Sequence, residues 1–270
     1  MTDSLPDGAC DCHVHIYEPG YPLAATATFA PPAAPVSEYR ELRSSLGLSR
    51  VIVVQPTGYG FDNSCTIDAV KKLGPQAYGV AVVAPDTPIE ELHGLHAAGI
   101  RGVRFMMFPG GLLSWDDLET IAMRIEPLGW HINLQFNSQE MPEREARLLR
   151  LPGKLVIDHL GTFFPLPAPG DKCFASLRRV LDGGRCWIKV SAPYHTSPRG
   201  GPLYLDAGRL AKVLIESHLE RCLWASNWPH PRVEPRPNDA AMLRLALFWM
   251  GDSEAQFKIL VENPVDVYGF

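Results

Sequence analysis

His13 and His15 stand one residue apart at the end of the first apolar run, in Cys-Asp-Cys-His-Val-His-Ile-Tyr. Alternate residues of a strand point the same way, so the two imidazoles aim at one point. Such a pair can open a metal site, because neutral imidazole suits zinc and similar ions, or it can polarise a carbonyl by donating hydrogen bonds. At the far end of the chain, Leu-Trp-Ala-Ser-Asn-Trp-Pro-His-Pro offers Asn227, an amide rather than an acid.

Strands must aim these groups. Short runs rich in β-branched or aromatic residues fall at 9–17, 50–55, 77–83, 101–107, 130–136, 154–159, 185–191 and 221–227. Helical patterns lie between them, near 37–47, 63–73, 88–99, 114–128, 139–150, 171–182, 206–218 and 238–250, with a last helix near 253–262. Ser37, Asp62 or Asn63, and Ser114 stand where N-caps are expected, and Gly74, Gly99 and Gly129 where helices should end. Eight strand–helix units predict a (β/α)8 barrel over residues 1–270 as a single domain, with a doubly wound open sheet as competitor. Three irregular stretches, 18–36, 162–170 and 193–205, follow strands 1, 6 and 7, at the barrel end where active sites form.

In a barrel one alternating set of each strand faces the interior. Strand 5 carries His131, Asn133 and Gln135 on one parity and Ile132, Leu134 and Phe136 on the other; strand 7 pairs Lys189 with Ser191 in the same way. The polar sets are expected to point inward. The same reading collects His13, His15, Gln55, Thr57, Arg104, Gln135, His159, Lys189 and Asn227 near the C-terminal strand ends, with Tyr194 and His195 on the loop after strand 7. So many polar groups converging without partners point to a ligand site.

His159 could give a third nitrogen to the histidine pair, but strand 5 offers only Gln135 and strand 8 only Asn227, while Arg104 and Lys189 would repel a divalent cation. No metal and no cofactor are expected. His93, His96 and His218 fall in or near helices and are read as surface or packing residues, and His230 as a structural hydrogen-bonder at the rim. No Gly-x-Ser-x-Gly elbow is present, and Gly110-Gly111 and Gly200-Gly201 lack a phosphate-binding context.

Composition narrows the remaining classes. A hydrophobic fraction of 46%, a charged fraction of 20% and a net charge of -5 are those of a globular protein without a basic stripe, so nucleic acid is not an expected partner. Residues 1–8 show no leader pattern and no apolar run can span a bilayer, so a cytoplasmic protein with no membrane association is expected. Six scattered cysteines read as buried, reduced thiols. Oligomeric state stays open.

The motifs Asp-Cys-His13-Val-His15, Gly-Val-Arg104-Phe, Val-Ile-Asp-His159-Leu-Gly, Ala-Ser-Asn227-Trp-Pro-His-Pro and the ending Asn263-Pro-Val-Asp-Val-Tyr-Gly-Phe resemble the amidohydrolase superfamily, in its amidohydrolase-related branch. Within it, with Gly60-Phe-Asp-Asn63 and Gly129-Trp-His, they are most similar to 2-pyrone-4,6-dicarboxylate lactonases and galactarolactone isomerases. The resemblance implies a distorted (β/α)8 barrel acting without metal on a carboxylated lactone. It places His13, His15 and His159 around the lactone carbonyl and Arg104 on a carboxylate. Gln55, Thr57, Gln135, Lys189 and Tyr194 are counted as substrate-binding. Lactonases carry an Asp as general base where this chain has Asn227, and an amide cannot take a proton from water. The expected activity is therefore a lactone isomerase interconverting 1,5- and 1,4-lactones of a sugar diacid. The alternatives are a lactonase in which Asn227 replaces the base or a histidine serves instead, a non-catalytic binder, and a zinc hydrolase or decarboxylase.

Overall fold

A computed structural model describes residues 5–168 and 170–270. Met1 to Ser4, part of the stretch read for a leader, and Pro169 of the loop after strand 6 lie outside the described residues. Eight parallel strands pair in chain order: β1 (Cys10–Val14), β2 (Arg50–Val54), β3 (Ala77–Ala81), β4 (Ile100–Met106), β5 (His131–Gln135), β6 (Lys154–Ile157), β7 (Cys186–Ser191) and β8 (Cys222–Ala225). The sheet comes back on itself just beyond β8. Val14 bridges Trp228 in the parallel sense, the His15 N–H donates to Trp228 O at 2.8 Å, and the Asn227 N–H donates to His13 O at 3.0 Å. That return excludes an open doubly wound sheet and gives the (β/α)8 barrel.

Helices α1 (Val36–Leu46), α2 (Ser64–Leu73), α3 (Ile89–Ala97), α4 (Leu118–Ile125), α5 (Met141–Arg150), α6 (Lys172–Asp182), α7 (Leu205–His218) and α8 (Asp239–Met250) fill the connections. Then α9 (Ser253–Phe257) runs through a π-helical stretch, Lys258–Glu262, into α10 (Asn263–Tyr268). The last element is thus longer than the expected 253–262. Ser114 and Asp117 form the capping box ahead of α4, and Asp62 Oδ1 accepts the Ser64 N–H at the start of α2. Ser37 does not cap: α1 begins one residue earlier, with Pro35 as N-cap and Ser37 inside the helix.

The outward strand residues pack under the helices, while Cys10, Cys12, Ile52, Val54, Val80, Val156, Trp187 and Leu223 fill the lower barrel interior against Tyr268 of α10. Asn263 holds that plug by donating to Leu219 O at 2.8 Å and Cys222 O at 2.7 Å. Gly102 of β4 is required by close approach: a Cβ there would lie 2.4 Å from the His131 ring of the neighbouring strand. All six cysteines are buried and free, and among the described residues no helix is long and apolar enough to cross a membrane.

A β-bulge in β1 decides where the histidines go. The β1–β2 register advances three residues on β1, Asp11 to Val14, for two on β2, Val51 to Val53. An extra residue resets the strand's alternation. Cys10 and Cys12 face the interior below the bulge, yet His13 and His15 join them above it. Asp11, turned toward the helix layer, stabilises the kink by accepting from Ser226 N–H at 2.9 Å, His13 N–H at 3.3 Å and Tyr39 OH at 3.2 Å. Asp11→Ala would strand these buried donors, so we expect a loss of about 3 kcal/mol in urea unfolding, with Tyr39→Phe costing less than half of that.

Candidate active site

A cavity of about 400 Å³ opens at the C-terminal mouth. Its floor and inner wall include His15, Thr57, Arg104, Gln135, His159 and Asn227; the loops after β1, β6 and β7 add Thr28 and Phe29, Thr162 and Phe164, and His195. Six of the ten residues named from sequence therefore meet at one cavity. The other four lie elsewhere. His13 and Lys189 are wholly buried and do not line it, forming a layer beneath. Tyr194 stands behind Asn227, its OH accepting from Asn227 Nδ2 at 3.0 Å. Gln55 is turned away: it shares parity with Val51 and Val53, which pack under the helices, and its amide nitrogen donates to Gly60 O at 3.1 Å and Asp62 O at 2.7 Å. Only its main-chain oxygen serves the site, accepting from Arg104 Nη1 at 2.8 Å.

The layer beneath the cavity is a closed polar network. The Lys189 ammonium donates to Asn133 Oδ1 at 2.6 Å and His13 Nδ1 at 3.0 Å and pairs with Asp158 Oδ1 at 2.9 Å. Asn133 Nδ2 donates to Asp158 Oδ2 at 2.7 Å. Each ammonium proton thus has an acceptor. Burial alone would raise the Asp158 carboxyl, but the Lys189 ammonium holds it well below the usual carboxylate range. Asp158 was not singled out from sequence, although it shares the inward parity of Val156. His159, one residue on, is turned in by a left-handed backbone, φ 51°, rather than by alternation.

Hydrogen-bond direction then propagates upward. Lys189 can only donate, so His13 accepts at Nδ1 and carries its proton on Nε2. That N–H points to His15 Nε2 at 3.1 Å, and His15 in turn donates from Nδ1 to Val54 O at 2.8 Å. Both rings are neutral. Burial, then Lys189, pushes His13 well below its ordinary range; burial, then Arg104, takes His15 to about 3. Burial also lowers His159, against the pull of Asp158, and takes His195 to about 4. His159 Nδ1 lies 2.9 Å from Ser191 Oγ; a hydroxyl donating there leaves Nε2–H as a donor. Arg104, besides Gln55 O, reaches Gln135 Oε1 at 3.3 Å and keeps further N–H groups unspoken for.

His13, Asp158 and His159 offer nitrogen or oxygen atoms within 4.8 Å of one another, close enough to suggest an ion. The donor set does not fit one. The Lys189 ammonium already stands against two of the three, and both nitrogens of His13 and of His15 are engaged within the protein. A divalent cation added there would meet a buried like charge at a few ångströms.

A parallel barrel whose first strand turns two histidines into a polar mouth belongs to a recognisable class. The profile described as Amidohydrolase matches residues 10–270, and the chain belongs to that family. Among its relatives it is 35% identical over 278 residues to a 2-pyrone-4,6-dicarboxylate hydrolase of Comamonas testosteroni, covering 98% of this chain and 91% of that one. It is 32% identical over 266 residues to D-galactarolactone isomerase of Agrobacterium fabrum, covering 97% and 91%. A 4-sulfomuconolactone hydrolase of Hydrogenophaga intermedia is 31% identical over 273 residues, covering 98% and 90%. An apo crystal structure of an Agrobacterium tumefaciens protein superposes with a TM-score of 0.94 at 32% identity, covering 99% of this chain and 97% of that one.

Two outcomes follow from the buried groups. Imidazoles held at about 3 (His15, His131) and about 4 (His195), against 6.5 when exposed, stay unprotonated in the fold while the unfolded chain takes up protons. The unfolded state binds more protons below pH 6.5, so stability is full above that pH and falls as the pH drops toward 3; urea midpoints should be lower at pH 5 than at pH 7.5. Lys189→Met would leave Asp158 buried without its cation, and a loss of about 3–5 kcal/mol is expected from the same measurement.

Proposed function

We propose that this protein is a metal-independent lactone isomerase, interconverting the 1,5- and 1,4-lactones of a sugar diacid. The observation that carries the reading is Asn227 in the cavity wall, where an activated water would need a base. An amide offers none. The substrate can supply its own nucleophile. In a δ-lactone the hydroxyl on C4 attacks C1, the tetrahedral intermediate collapses by breaking the bond between C1 and the ring oxygen, and the proton lost by O4 ends on O5. No water is consumed. Alignment of such an internal hydroxyl is worth an effective molarity of roughly 10⁵ M or more.

His159, with Nε2–H free for the cavity, stabilises the charge that develops on the carbonyl oxygen. His13 and His15, expected from sequence to share that role, have their nitrogens engaged within the protein and instead hold the layer beneath the carbonyl. Arg104 holds the free carboxylate through its remaining N–H groups, with Gln135 and Thr57 beside it. His195, in the cavity wall and 3.4 Å from Asn227, carries the proton from O4 to O5.

The relatives support a lactone as substrate class, since one is named for galactarolactone and another for sulfomuconolactone. They also favour a second reading, hydrolysis, because two of the three are named hydrolases. Following a δ-lactone of a hexaric acid by NMR separates the readings. The expected product is the γ-lactone, formed at the same rate after treatment with a chelator; ring-opened diacid as the main product would overturn the isomerase assignment. Asn227→Asp should gain hydrolysis by about a hundredfold or more, the order of effect of a positioned base.

A further inference from the structure

His230, expected as a rim hydrogen-bonder with ligand contact left open, is the middle of a buried chain that ends on Asn227. Its Nε2 lies 2.9 Å from Asp239 Oδ1, at the first turn of α8, and its Nδ1 lies 2.8 Å from the Tyr194 OH. The Tyr194 oxygen in turn lies 3.0 Å from Asn227 Nδ2. Both His230 and the Asp239 side chain are sequestered, at 0% and 10% exposure, and Arg236 stands 3.7 Å from the second Asp239 oxygen.

The Asp239 carboxylate can only accept, so His230 carries hydrogen on Nε2. With Nδ1 as the bare nitrogen, Tyr194 donates to it. A phenol has one proton; toward Asn227 its oxygen can only accept. Asn227 therefore presents Nδ2 to Tyr194, with His195 Nε2 at 3.4 Å on the same nitrogen. Its Oδ1, on a side chain that lines the cavity, has no hydrogen-bond partner among the described residues. The left-handed backbone of Asn227 and His230, φ 61° and 60°, puts both side chains on this line.

We propose that Asp239, His230 and Tyr194 are positioning residues that fix the Asn227 carbonyl oxygen toward the ligand, so that the site selects a substrate hydroxyl at this point and rejects an oxyanion there. A freely turning amide would accept either. This deepens the isomerase reading, on which only its kinetic consequence rests: the selected hydroxyl is the attacking one. Position 227 and the chain are matched in polarity, because a carboxylate there would demand the Tyr194 proton that His230 now receives.

The test uses two six-carbon diacids that differ in their hydroxyls, galactaric and adipic acid, titrated calorimetrically into the intact protein. The wild type should bind galactarate about tenfold more tightly, the scale of one or two neutral hydrogen bonds. Tyr194→Phe and Asp239→Ala should reduce that preference to about twofold or less without weakening adipate, whereas Asp239→Asn, which still accepts from His230, should keep it. Histidine ¹⁵N spectra should show His230 as the Nε2–H tautomer in the wild type. An Nδ1–H tautomer, or a preference undiminished in folded Tyr194→Phe or Asp239→Ala, would overturn the proposal. In turnover, Tyr194→Phe should lower kcat and raise KM together, because the hydroxyl that the amide holds is both bound in the ground state and the attacking group. If no lactone is isomerised at all, the reaction assignment fails while the binding and tautomer results still decide the positioning role.

Discussion

The ion pair between Lys189 and Asp158 at the centre of the barrel is the constraint from which the site is built. A buried pair is not a source of stability in itself; it persists when each proton and lone pair has a partner. Here β5, β7 and β1 contribute Asn133, Lys189 and His13, and the residue just after β6 contributes Asp158, so the network also fixes the relative register of those strands. An ammonium that cannot accept sets His13 as an acceptor on its lower side. From there the direction of every bond to Val54 is determined. The histidine pair that suggests a metal is in this way committed to the protein, with the fixed cation standing where an ion would.

That commitment shapes the chemistry above it. Low dielectric and a nearby positive charge keep the imidazoles neutral, which makes them hydrogen-bond donors of fixed orientation and poor bases. Arg104 adds a second positive charge at the cavity wall without an acid in contact with it. The mouth therefore favours an anionic ligand, and Asn227 presents it with an amide rather than a carboxylate. With the positioning role we propose for Asp239, the two hydrogen-bonded chains share one logic: a charged residue out of reach of the ligand, Lys189 below and Asp239 behind, sets the polarity of the groups that face it.

Much of this was legible in the sequence where periodicity governs. The alternation of His131, Asn133 and Gln135 against Ile132, Leu134 and Phe136 is borne out by the Asn133 contacts with Lys189 and by His131 packing on Tyr268. Alternation misleads where it is broken or carried past a strand end. Gln55 follows Val51 and Val53 to the outer face. His13 is inward only because a bulge intervenes, and His159 only because its φ is positive. Asp158 obeys the rule and could have been found by it, had Val156 been taken as the reference. The Asp239–His230–Tyr194 chain has no local signature, since it joins the loop after β7 to the start of α8 through tertiary packing.

The backbone shows the same division of labour. Among the described residues, all eight non-glycine residues with positive φ fall between β6 and α8: His159, Leu160, Thr162, Ala192, Tyr204, Asn227, His230 and Arg232. Each such conformation costs about 1 kcal/mol or more and persists only when its surroundings over-determine it. Four of them, His159, Thr162, Asn227 and Arg232, line the cavity. The opposite side of the mouth, with His15 after β1, Thr57 after β2, and Arg104 and Gln135 on β4 and β5, uses relaxed backbone. Strain is thus confined to the half of the site that supplies His159 and Asn227, while the half that carries Arg104 stays unstrained. In the reaction we propose, orientation at the reacting centre, where a misplaced donor loses most, is what the stored energy would secure; a carboxylate held by a guanidinium tolerates more play and would need no such support.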